Sequence, residues 1–137
     1  MFKKILVPID LRHPDALEKA ISATAAIAKS ENIPVVFAAV STAAPSALAH
    51  NPDELKSKMA EFAEAQGRHH GIDATGQAFF SHDPSIDLEN TLLKAIDETG
   101  ADLVVMATHV PHLSDRFWPS NGGRIASHAG VSVFLVR

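Results

Sequence analysis

Ser120-Asn121-Gly122-Gly123 stands where a long loop meets a short helix, so its backbone N–H groups would face outward with the positive end of the helix dipole. That is an anion site in outline. Gly122 and Gly123 are each about 1 kcal/mol worse than Ala inside a helix, so a purely structural sequence would gain by replacing them. The plainer alternative is a flexible turn with a Ser cap. A second cluster, His109-Val110-Pro111-His112 followed by Asp115, is the tight His-His-Asp group among eight histidines, and its ligand types would suit zinc or nickel. Asp10 stands alone after the first apolar run, without the paired acids of a phosphoacceptor. There is no Walker lysine motif, no Gly-x-Gly-x-x-Gly after the first strand and no Gly-x-Ser-x-Gly elbow, so the residues offer a binding site rather than a catalytic base or nucleophile.

The elements that must position these residues follow from apolar patterning. Ile5 to Ile9 is a β-branched run of the kind buried on both faces of a parallel sheet, with a strand expected over about Lys3 to Val7. Pro14, with Asp15 and Glu18 as a capping-box pair, predicts a helix from Asp15 to about Ser30. Pro34 to Val40 reads as a second strand, and Asp53 to His70 as a second helix with Leu55, Met59, Phe62 and Ala63 on one face. Thr75 to Phe80 is strand-like. Asp83-Pro84 opens a helix that closes before Gly100, and Leu103 to Ala107 is a buried strand. The long loop Thr108 to Pro119 leads to a helix over about Asn121 to Ala129 and a last strand over Val131 to Val136.

Strands alternating with helices in this way require right-handed crossovers, hence a parallel, doubly wound α/β sheet with helices on both faces. Such sheets bind ligands beyond the carboxyl ends of the strands, beside the switch point. The residues to inspect are therefore Pro8 to Leu11, Val40 to Thr42, and Met106 onward. A chain of 137 residues has room for one domain, 1–137, and 46% apolar with 20% charged residues is a globular balance. A net charge of -4 supplies no basic field for a phosphate backbone, which argues against nucleic acid. The longest uncharged stretch, Ile33 to Pro52, is broken by prolines, so no membrane insertion is expected, and the short N-terminal apolar run makes the cytoplasm the expected compartment. Without cysteine there is no disulfide, thiolate metal site or cysteine nucleophile.

Lys3-Lys4-Ile5-Leu6-Val7-Pro8-Ile9-Asp10, then Asp102-Leu103-Val104-Val105-Met106-Ala107-Thr108-His109, then Ser120 through Arg137 resemble, in order and interval, the universal stress protein family. The spacing is closest to its small F and G types. The resemblance implies a three-layer α/β/α sandwich of the adenine nucleotide alpha hydrolase-like kind, with a five-stranded parallel sheet in the order 3-2-1-4-5. It implies a pocket for ATP or another adenine nucleotide, with or without magnesium, in a regulator of stress response with slow hydrolysis at most. Carried across position by position, Pro8, Ile9 and Asp10 match the segment lining adenine and ribose, Asp10 as acceptor, and Val40 matches the residue that packs on the base. Met106, Ala107 and Val110 match the first half of the phosphate motif, and Pro119, Ser120, Asn121 and Gly122 its second half. His109 matches a position where the family commonly has histidine without a metal, so no metal is expected there.

The family motif sets glycine at three places where this chain has Ala107, Val110 and Pro119. Glycine lets a backbone approach phosphate and take positive φ, which Val and Pro do poorly, and Pro119 also removes an N–H. Ser120 and the amides after it remain as phosphate donors, and Arg116 could add a charge-assisted contact if turned inward. His82 likewise stands at a glycine position before Pro84, where a loop-tip surface residue is the simpler reading. The resemblance further implies a homodimer in which the last strands pair through Val133, Phe134, Leu135 and Val136. The alternative function is a nucleotide-free dimeric interaction module whose loop or dimer surface binds a protein partner.

Overall fold

The computed structural model describes residues 1–11, 17–42, 45, 49–107, 119–128 and 130–137, the side chains of 84–86, 119–122 and 128 excepted. Nine elements alternate along the chain: β1 (Ile5–Ile9), α1 (Glu18–Glu31), β2 (Val35–Ser41), α2 (Pro52–His70), β3 (Ala74–Phe80), α3 (Pro84–Thr99), β4 (Leu103–Ala107), α4 (Pro119–His128) and β5 (Ser132–Val136). All neighbouring strands pair parallel, in the order β3-β2-β1-β4-β5.

Strand alternation divides the core between two faces of this sheet. Ile5, Val7, Phe37 and Val105 pack with Ala20 and Ile21 of α1 and Leu55 and Met59 of α2. On the opposite face Leu6, Val36, Ala38, Val104 and Met106 pack with Leu88, Leu92 and Ile96 of α3 and Ile125 of α4. β1 and β4 are buried along their whole length, as expected for central strands covered on both sides.

Element ends follow local chemistry. Asn51 caps α2 by accepting from the Glu54 N–H at 2.9 Å, Pro52 takes the first turn, and Gly71 closes the helix at φ 65°. α1 differs from the expected start: its N-cap is Leu17, with no side-chain cap bond, while Pro14 and Asp15 lie outside the described residues. β1 runs to Ile9 rather than Val7, because its pairing with β2 continues through Pro8↔Ala38 and Ile9↔Ala39. α4 begins at Pro119, two residues before the expected Asn121, since a proline's fixed φ and missing N–H suit a first helical position.

Candidate functional site

Asp102 holds β1 and β4 together at their amino ends. Its carboxylate accepts from the Lys3 N–H at 2.9 Å and the Lys4 N–H at 3.1 Å, and the Lys4 carbonyl accepts from the Leu103 N–H at 3.3 Å. From there the β1–β4 register runs through Ile5↔Leu103 and Leu6↔Val104, and among the described residues it goes no further. The cause is Pro8. The Ile5 N–H donates to the Pro34 carbonyl at 3.0 Å on the β2 side, whereas Lys4 faces β4, so alternation sends the backbone groups of Leu6 and Pro8 toward β4. Proline has no N–H to give there, and it interrupts one ladder while leaving the other intact. β1 and β4 are thus joined at their amino ends and unladdered at their carboxyl ends, at the point where the strand order reverses.

The residues expected to form a site gather at this edge. Pro8 and Ile9 end β1, buried, with Asp10 half-buried just beyond them. Met106 and Ala107 end β4, also buried, and Val40, partly buried, lies near the end of β2. Val40 and Met106 share the α3/α4 face, while Ile9 and Ala107 share the other, so the edge is lined from both layers. β5 runs parallel to β4, and α4 must therefore run back between them with its N-terminus at this same edge. There the N–H groups of Ser120 and Asn121 precede the first intrahelical bond, and Pro119 contributes none. His109, Val110, His112, Asp115 and Arg116 lie outside the described residues, as do the side chains of 119–122.

A family model described as the universal stress protein family matches residues 1–137. The chain belongs to that family. Among solved structures, a universal stress protein in complex with cAMP is 18% identical, with a TM-score of 0.69 over 99% of this chain and 97% of that one. The universal stress protein of Archaeoglobus fulgidus in complex with dAMP is 16% identical, with a TM-score of 0.64 over 98% of each chain. A family protein of Arabidopsis thaliana with AMP bound is 12% identical, with a TM-score of 0.62 over 98% of this chain and 90% of that one. At these identities the likeness is one of fold.

Two features of this family member's edge had no counterpart in the sequence reading. Ser81, immediately after β3, has a buried Oγ with no hydrogen-bond partner among the described residues. Nothing in a lone serine signals this, since it depends on what surrounds the hydroxyl. The second is the end of the β1–β4 ladder before Pro8, which the sequence does signal, because a proline inside an apolar run marks a broken ladder. His82 is exposed. Among the described residues no group of three His, Asp or Glu could hold a metal, and no helix is long and apolar enough to cross a membrane.

Proposed function

We propose that this universal stress protein binds an adenine nucleotide at the carboxyl edge of β1 and β4 and acts as a ligand-responsive regulator in the cytoplasm. The observation that carries the reading is the end of the β1–β4 ladder before Pro8, at the switch point of the sheet, with Asp10 half-buried just beyond it. The Asp10 carboxylate would accept from a ribose hydroxyl or the base, Val40 would pack on the base, and the first-turn amides of α4 would receive phosphate. Met106, Ala107, His109 and Val110 would complete the lining. That three proteins of the same fold hold cAMP, dAMP and AMP supports an adenine nucleotide as ligand class. ATP with magnesium belongs to the proposal as one candidate beside ADP and AMP.

The proposed assembly is a homodimer paired through β5. That strand is at the sheet edge, and Phe134 and Leu135 are each 42% exposed on opposite faces of it. An edge this apolar is a template for pairing unless something covers it. Val133 is partly buried and Val136 buried against its own chain, so they would contribute mainly backbone to the pairing.

A second reading is favoured by the replacement of the motif glycines with Ala107, Val110 and Pro119: a dimeric interaction module that takes a protein partner and no nucleotide. Calorimetric titration with ATP, ADP and AMP, with and without magnesium, separates the two. Saturable binding by at least one nucleotide is expected, and Asp10→Ala should weaken it by about 1–3 kcal/mol, about five- to 150-fold, with the fold intact by circular dichroism. Affinity unchanged in Asp10→Ala would remove Asp10 from the site.

A further inference from the structure

Ser81 sits at the same edge of the sheet as the proposed site. Its N–H donates to the Ser41 carbonyl at 2.9 Å, extending a β2–β3 register that reaches Val40↔Phe79 and Ser41↔Phe80. Adjacent strands lie about 4.8 Å apart, so Ser81 is roughly 10 Å from the end of β1, with the end of β2 and Val40 between them. That span suits a nucleoside laid along the strand ends, its phosphate toward α4 and its base toward β2 and β3.

The Ser81 hydroxyl is buried without a partner among the described residues, which costs free energy in the ligand-free chain and calls for a reason. The residue as a whole is only half-buried, and a turn about χ1 to another staggered well carries Oγ to a different side of its Cβ. His82 and Asp83, which follow, are exposed and lead directly into α3 at Pro84, so Ser81 stands at the end of β3.

We infer that Ser81 is a specificity residue of the nucleotide site, its hydroxyl hydrogen-bonding the edge of the base that packs on Val40. The inference rests on the adenine-nucleotide reading and adds to it the group that reads the base. A serine hydroxyl donates one hydrogen bond and accepts others, so it can meet either the exocyclic amino group or a ring nitrogen of adenine. Ligand binding then supplies the partner that the free chain lacks. The consequence is a split between stability and affinity: removing the hydroxyl relieves the free chain and weakens the complex.

The test is AMP titration and thermal melting of the full chain as wild type, Ser81→Ala and Ser81→Thr. Ser81→Ala should bind AMP about three- to tenfold more weakly, while its ligand-free Tm equals or exceeds that of wild type. Ser81→Thr, which keeps the hydroxyl, should restore most of the affinity. If wild type binds AMP and Ser81→Ala binds it equally well, or loses Tm and affinity together, Ser81 is not a base-reading residue. If wild type binds no nucleotide at all, the functional reading itself falls and this inference with it.

Discussion

A proline in a central strand removes one ladder bond, and in this chain the position of that loss decides where the β1–β4 ladder ends. Pro8 faces β4, so the β2 ladder runs on to Ile9 while the β4 ladder stops at Leu6. Asp102 ties the same two strands together at their other end. Burial raises its carboxyl pKa, but the N–H groups of Lys3, Lys4 and its own backbone outweigh that and hold it below the ordinary aspartate value. A carboxylate depressed in the folded chain contributes stability above its unfolded pKa and loses it as pH falls through the lower, folded value. Asp102→Asn should therefore be less stable than wild type at neutral pH by about 1 kcal/mol, and the two should converge in strongly acid solution. Melts recorded down the acid limb check this, and a constant difference at all pH values would contradict the assigned role.

At the scale of elements, strands were the most legible part of the sequence because burial on both faces leaves a continuous apolar run. Leu103 to Ala107 is β4 as expected. Helix starts were less legible where two signals compete. Asp15 and Glu18 read as a capping box, whereas α1 runs from Glu18 with Leu17 as a cap that makes no side-chain bond, and Asp15 lies outside the described residues. Pro119 stands in place of a motif glycine, and its chemistry also marks the first turn of a helix. Of the site, the strand-end residues could be read in advance from topology alone. The unpartnered Ser81 hydroxyl could not, since no pattern in the chain encodes its surroundings.

Gly76 is another case of tertiary approach hidden behind a single residue. A Cβ there would collide with the Met59 carbonyl, so α2 lies backbone to backbone against β3. Because α2 follows β2 and starts at the edge of the proposed site, its seating bears on that site as well as on the edge strand. Gly76→Ala should cost about 3 kcal/mol, the upper end for overpacking, measured by urea denaturation. An unchanged midpoint would show that α2 can lift without loss.

The whole molecule presents two edges with different characters. β3 is covered by α2, and its exposed residues Thr75 and Gln77 are polar. β5 instead exposes Phe134 and Leu135 on its two faces, the feature on which the proposed homodimer rests. Phe134→Asp should yield a folded monomer by sedimentation, because the side chain is already partly exposed and a charge there costs little within one chain. A variant that stays dimeric would move the interface elsewhere.

The adenine-nucleotide site is the central claim, and the protein purified from cells tests it most directly. Heat release followed by mass spectrometry, backed by calorimetry with ATP, ADP and AMP, should find an adenine nucleotide carried by the protein or bound on titration. No released nucleotide and no binding heat from any of the three would contradict the claim, leaving a family fold that has kept its edge for pairing and lost its ligand.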